Sequence, residues 1–332
     1  MGQPLVAPFQ CWPGGAARRK LNFPGLQILR TEAAVRSTVL ARRKRSTGLL
    51  LAAFCAGALP TACAPPAPRP VTNIVRQIDH ILIASSDARA LFSLLSDTFQ
   101  FPVAWPMSDY GSFASGGVAV GNVNLEIIKD SQGSSGIVRS RWTGFALEPE
   151  PLRTSVPELD ARGIPHGTPA PFKSGWLTTR WTTVGLPSVS SEATQVFLCE
   201  FADDLPPRRR RWQAQLQAQG GGPISALSIR EIVCGARDVK RTQAHWETLL
   251  NPLQLTAQGA WPLGAGPAIR VIPAERDGIQ GLVINVKSLA QAHRFLKDQG
   301  LLGAEQSKSL RLDGLLLQGL NITLVEPAVN PP

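Results

Sequence analysis

The chain has 332 residues, 43% hydrophobic and 17% charged, which is enough for two ordinary globular domains and excludes a disordered or fibrous protein. Its formal charge of +10 suggests a polyanion partner, but nine basic residues against the single acid Glu32 fall between Met1 and Cys63, leaving only +2 for everything after. That distribution removes the charge-based case for nucleic acid.

Residues 1–70 read as a leader and a tether. Arg42 to Arg45 form a basic cluster, followed by the apolar run GLLLAAFCAGAL from Gly48 to Leu59 and then small residues and Cys63. That is the order of a secretory signal, and the run is well short of the ~20 residues a membrane-spanning helix requires. LPTAC resembles the lipobox of bacterial lipoproteins, which implies lipidation at Cys63, although Pro60 stands where that box has Leu. The expectation is an exported protein, periplasmic or anchored to a membrane only through that lipid. The alternative is a cytoplasmic protein whose start is misassigned, with Val35 or Val39 as other starts. APPAPRP, Ala64 to Pro70, is a stiff extended tether.

Beyond the tether the chain repeats itself. IDHILIASSDARALFSLLSDTFQF, from Ile78, gives an apolar strand, a Ser/Asp helix cap and then Leu91, Leu95 and Phe99 at helical spacing. IREIVCGARDVKRTQAHWETLL, from Ile229, has the same order, and an offset of 151 carries Asp87 onto Asp238 and His80 onto Glu231. WTGFALEPEPLRTSVPELDARGI, from Trp142, matches IQGLVINVKSLAQAHRFLKDQGL, from Ile279, at an offset of 137, with Gly163 and Gly300 as left-handed helix stops. Pro157 falls inside the second helix, which predicts a late start near Ser155 or a kink. Short alternating strands follow each helix and end in NVNLEII, QVFLCEF, AIRVIP and NITLVEP.

Four βαβββ modules in two pairs are therefore predicted, an α+β fold of curled mixed sheets. The expected domains are 71–203 and 224–328, joined by a linker over 204–223. That linker contains four consecutive arginines, read as a solvated helix ended by glycines. Cys199 and Cys234 lie in apolar strands, either as buried free thiols or as one disulfide.

The paired βαβββ plan, carried by IDHILIASSD, VNLEII, LTTRWTTVGLP from Leu177 and VFLCEF from Val196, resembles the vicinal oxygen chelate superfamily, and the first pair resembles its glyoxalase-like domains. Metal ligands in that superfamily come from the first and last strands of each module. The resemblance therefore implies His80, Glu126, Gly144 and Glu200 as the four corners of the first pair, with glycine unable to ligate. At the same places the second pair offers Glu231, Arg270 or Ile272, Gly281 and Leu324, with Glu326 two further on, no complete ligand set, so that half is expected to be a structural partner or a lid on the cup.

The residues carry their own logic. Alternation in GNVNLEII puts Asn122, Asn124 and Glu126 on one face and Val123, Leu125 and Ile127 on the other. In VFLCEF, Glu200 shares its face with Val196 and Leu198, and a carboxylate in that setting needs a partner or a metal. One imidazole and two carboxylates suit Zn, Mn, Fe(II), Ni or Mg, with open positions for substrate oxygens. The bland alternatives are a strand-edge histidine bonding a carbonyl, and glutamates paired with Arg180 or Arg141 or facing solvent.

The expected activity is that of a glyoxalase-like, divalent-metal-dependent lyase or isomerase acting on a small oxygen-bearing substrate. Metal would be held by His80, Glu126 and Glu200, with Glu126 or Glu200 moving the proton. Trp176, Arg180 and His166 are the candidate substrate contacts. A two-histidine iron site is disfavoured, since no second histidine aligns. The alternative is a metal-free small-molecule binding module, favoured by Gly144.

Overall fold

The computed structural model describes residues 71–109, 114–130, 139–174, 178–203, 205–315 and 317–327. The leader, the tether, Cys63 and Trp176 lie outside them. The first module is β1 (Val75–Ser85), α1 (Ala88–Ser93) closing in one π turn (Leu94–Thr98), then β2 (Val103–Asp109), β3 (Ala114–Val120) and β4 (Val123–Lys129). The second is β5 (Ser140–Pro149), α2 (Leu152–Ala161), β6 (Ala170–Ser174), β7 (Thr178–Gly185) and β8 (Gln195–Phe201). After the connecting helix α3 (Leu205–Ala218) come β9 (Ala226–Ala236), α4 (Val239–Leu250), β10 (Ala260–Trp261) and β11 (Ala268–Pro273). The chain ends with β12 (Gly278–Val286), α5 (Leu289–Asp298), β13 (Leu302–Gln306), β14 (Ser309–Leu312) and β15 (Ile322–Val325).

Two curled sheets result, ordered β2-β3-β4-β1-β5-β8-β7-β6 and β10-β11-β9-β12-β15-β14-β13. In each, the first strands of two modules pair antiparallel at the centre, and each runs parallel to the last strand of its own module. The third module has two strands after its helix instead of the expected three, because residues 251–259 form turns and irregular loop.

Local chemistry accounts for the helix boundaries. Asp87, Asp238 and Ser288 each accept a backbone N–H of the first turn of the helix that follows, as the repeat alignment requires. α2 starts at Leu152, earlier than predicted, and runs through Pro157. Pro157 and Arg153, whose carbonyl the missing N–H would have met, are both exposed, so water can serve that carbonyl.

A single core joins the two sheets. Ile81 and Ile83 of β1, Leu125 and Ile127 of β4, and Val196 and Leu198 of β8 share it with Ile229 and Ile232 of β9 and Leu282 and Ile284 of β12. The helices lie within it: Phe145 stacks on Trp246 at 6.0 Å, and Phe99 meets the Phe295 ring edge at 5.9 Å. Each sheet therefore gives one face to the helices and keeps the other for its own cup.

Helix α3 differs from the solvated linker expected. Trp212 and Leu216 are buried, and Arg209 turns inward while Arg210 and Arg211 face solvent. Cys199 and Cys234 are buried free thiols.

Candidate functional site

Strand alternation decides which side chains enter the first cup. With Ile81 and Ile83 given to the core, β1 presents His80 and Leu82 to the cup, and β4 presents Asn124, Glu126 and Ile128. From β8 the cup receives Phe197, Cys199 and Phe201, which pack with Leu82, Ile128, Ala146, Trp181 and Phe172. Trp181 lies flat on Phe172 at 4.3 Å.

A β-bulge adds a residue to this pattern. β1 pairs Ile78 with Leu147 but His80 with Ala146, so Asp79 is the extra residue. The bulge lets two consecutive polar side chains, Asp79 and His80, both be buried. They bond each other, with His80 Nδ1 2.6 Å from Asp79 Oδ2. The other ring nitrogen, Nε2, stands 3.4 Å from Glu126 Oε2. Glu126 Oε1 accepts from the Ser115 hydroxyl at 2.8 Å, and Trp105 Nε1 donates to the same hydroxyl oxygen at 3.3 Å.

In the other direction, Arg209 of α3 bridges Asp79 Oδ1 and Glu148 Oε2. Glu148 also accepts from Gln77 at 2.8 Å and from Arg76 at 3.0 Å. A continuous polar chain thus runs from Arg76 at the surface, through Glu148, Arg209, Asp79, His80 and Glu126, to Ser115. A cavity of about 190 Å³, lined in part by Arg76, Glu148, Cys199, Glu200 and Phe201, opens beside its outer end.

These surroundings shift the ionisations. Burial opposes charge on His80, but the hydrogen bond and charge of Asp79, with Glu126 beyond, outweigh it and raise the imidazole pKa. Burial likewise opposes ionisation of Asp79, and His80 and Arg209 overcome it, so this carboxyl sits below its usual range. Glu126 goes the other way: burial pushes it up and His80 and Ser115 offset that only in part.

Of the expected ligands, the fold brings His80 and Glu126 together and leaves Glu200 out. Glu200 lies on the Val196 and Leu198 face, the one covered by helices, and its Oε1 accepts the Leu152 N–H at 2.8 Å at the start of α2. Pro151, the residue before that helix, supplies no side-chain cap, so Glu200 takes the role from a neighbouring strand. Gly144 is no vacant ligand corner either. A Cβ there would lie 2.1 Å from the Gln195 carbonyl oxygen, so glycine is required where β5 and β8 come together. Gly281 repeats this against the Asn321 carbonyl, at 2.8 Å.

The substrate contacts fare similarly. Arg180 precedes Trp181 on β7 and by alternation points to the face of Thr182 and Glu200, away from the cup. His166 uses both ring nitrogens locally, on the Gly167 carbonyl at 2.9 Å and on Asp160 at 3.1 Å. Asp79, Ser115 and Arg209 belong to the polar chain and were not anticipated.

In the second cup the register equates Glu231 with His80 and Arg270 with Glu126. Two guanidinium nitrogens of Arg270 stand 2.8 Å from the two Glu231 oxygens, so an ion pair fills the place of the His–Glu pair. Beside it lies a cavity of about 240 Å³ lined by Val233, Gly281, Val283, Arg311, Asn321 and Thr323, among others.

Whether the first cup suits a metal can be tested on distances. Two donors about 2.1 Å from one ion, at a tetrahedral angle, stand roughly 3.4 Å apart, which is the His80–Glu126 separation. Ligating histidines usually give their second nitrogen to a carboxylate, and ligating carboxylates are themselves hydrogen-bonded, as Asp79 and Ser115 provide. The donors fit an ion at two corners and not at the other two. Among the described residues no group of three His, Cys, Asp or Glu side chains is placed to hold one.

No protein-family model matches the chain, and no curated protein matches it. Solved structures do. A homoprotocatechuate 2,3-dioxygenase from Arthrobacter globiformis is 12% identical, over 82% of this chain and 86% of its own, with a TM-score of 0.52. The Brevibacterium fuscum homoprotocatechuate 2,3-dioxygenase, solved with 3,4-dihydroxyphenylacetate, is 10% identical over 80% and 86%, with a TM-score of 0.53. The 2,3-dioxygenase LapB from Pseudomonas sp. KL28 is 11% identical over 78% and 95%, at 0.52. At such identities the likeness is one of fold.

Proposed function

We propose that this chain, whose fold is that of the vicinal oxygen chelate superfamily, binds one divalent metal ion at His80 and Glu126 and acts through it on a small oxygen-bearing molecule. The observation that carries this reading is the 3.4 Å separation of His80 Nε2 and Glu126 Oε2, each side chain being fixed from behind by Asp79 or Ser115. Bound there, an ion such as Zn, Mn, Fe(II), Ni or Mg supplies Lewis acidity toward a carbonyl or hydroxyl oxygen.

The protein's own groups do the rest. Asp79 keeps the ring proton on Nδ1 and so directs Nε2 toward Glu126. Ser115 occupies Glu126 Oε1 and leaves Oε2 toward His80. The apolar wall of Phe197, Trp181 and Leu82 excludes water. Glu126, pushed up by burial, is the group suited to take a proton from carbon beside a carbonyl, as a lyase or isomerase requires, once substrate oxygens displace its Oε2 from the ion. Because only His80 and Glu126 would hold the ion, its uptake is expected to tighten when a chelating substrate is present. The 2,3-dioxygenase activity named for the structural neighbours is not proposed, because a glycine demanded by strand packing stands at the third corner.

A metal-free binding module is the second reading, favoured by Glu200 turning to α2 and by the apolar neighbours of His80, Ala146 beside it on β5 and Phe197 with its ring 6.0 Å from the imidazole. Protein purified without chelator and titrated with Mn(II) or Zn(II) separates the two. The expected result is one equivalent bound by the parent chain and none by His80→Ala or Glu126→Gln. Failure of the parent chain to take up either ion refutes the metal reading.

A further inference from the structure

The arginine run of α3 contains one member that does not behave as a surface charge. Arg208 pairs with Asp203 at the surface, and Arg210 and Arg211 are exposed. Arg209 instead enters the first sheet with its side chain only 15% exposed and meets Asp79 and Glu148, which are 5% and 9% exposed. Trp212 and Leu216, three and seven residues on, are buried on the same helical stripe and anchor α3 so that the guanidinium stays in place.

We propose that Arg209 is a positioning residue for His80, acting through Asp79, so that the connecting helix completes a site whose other members come from β1, β3 and β4. The partners of each carboxylate support this assignment. Glu148 has Arg76 and Gln77 to hold it if Arg209 is removed. Asp79 has Arg209 on Oδ1 and His80 on Oδ2, so removing the guanidinium leaves the carboxylate turning on its His80 contact alone. A carboxylate free to turn no longer fixes which way the imidazole points, and outer-shell losses of this kind cost about 10- to 100-fold in metal affinity. The planar fork of arginine suits the task, since it spans two carboxylates from different strands at once.

The inference rests on His80 being the nitrogen ligand proposed above, and its test does not depend on that reading. Histidine-¹⁵N-labelled full-length protein, without metal, is compared as parent, Arg209→Met, Arg209→Gln and Arg210→Met, with His80→Ala to assign the signal. The Nδ1 proton of His80, in a 2.6 Å bond to a buried carboxylate, is expected as a far-downfield signal slow to exchange. It should move or broaden in Arg209→Met and Arg209→Gln and be unchanged in Arg210→Met. Mn(II) affinity should fall about 10- to 100-fold in the Arg209 variants alone. A folded Arg209 variant whose His80 signal superimposes on that of the parent overturns the proposal and leaves Arg209 as a clip for α3. Should one Arg209 variant fail to fold, the other is read in its place. If the parent chain binds no Mn(II) but the His80 signal still responds to Arg209, the metal reading falls and the positioning role stands.

Discussion

Glu200 separates the ligand set expected from resemblance from the role seen in the fold, and Glu200→Ala is the perturbation that tests it. The carboxylate accepts the Leu152 N–H at 2.8 Å at a helix start whose preceding residue is a proline without a capping side chain. Losing a cap of this kind costs about 1 kcal/mol. Losing a negative charge at a helix N-terminus costs roughly another 0.5 kcal/mol. The sum of about 1.5 kcal/mol, at roughly 2–4 °C per kcal/mol for a folded unit of this size, lowers the melting temperature by about 3–6 °C. Glu200→Gln keeps an acceptor and loses only the charge, so about a third of that fall is expected. Differential scanning calorimetry of the three proteins measures the shifts, and Mn(II) titration of the same samples should give the same uptake in all. An unchanged melting temperature accompanied by lost metal uptake would refute the reasoning, since it would mean that Glu200 turns into the cup.

Gly144→Ala places a methyl 2.1 Å from a backbone carbonyl that cannot move without parting β5 from β8, so urea unfolding should report a loss of about 2–3 kcal/mol. Arg270→Met leaves the buried Glu231 carboxylate short of its main partner, with Arg230 still 3.1 Å away, and should cost about 1–3 kcal/mol. Adding Glu231→Leu should restore most of that loss, and a double variant no more stable than the single one would count against the ion pair as a plug. Burial pushes the Cys234 thiol up to about 12. The unfolded thiol ionises near its ordinary value and the folded one much later, so this contribution to stability is complete below the unfolded value and is lost as pH rises toward about 12. Urea midpoints of the parent chain should therefore fall more steeply above pH 9 than those of Cys234→Ala, and parallel curves would show that the thiol is not buried.

The module repeat was legible because helices and strands each leave a periodic trace, and two alignments at fixed offsets predicted nearly every element. The interruptions were harder to read. The third module spends 251–259 on turns and irregular loop, where LQL alone resembles a strand. α2 keeps Pro157 because both it and the carbonyl it deprives face solvent, and a sequence does not say which side of a helix is wet.

The site turned on strand parity, and there the residues said more than the resemblance. In NVNLEII the glutamate opposes Leu125 and Ile127, whereas in VFLCEF it sits with Val196 and Leu198. If the apolar set of each strand marks the helix-covered face, those two glutamates already lie on opposite sides of one sheet and cannot share an ion. Aligning strand ends by resemblance concealed that conflict, since it matches positions along a strand without asking which way they point. Asp79 was hidden by the opposite effect. Beside His80 it should face away from it, and only a bulge, which leaves no mark in a single sequence, turns both inward. Arg209 did leave a signal: with Trp212 and Leu216 it forms an i, i+3, i+7 stripe within what composition presents as a solvated basic run. Three of four arginines there are surface charges, and the fourth is distinguished by the two apolar residues that share its side of the helix.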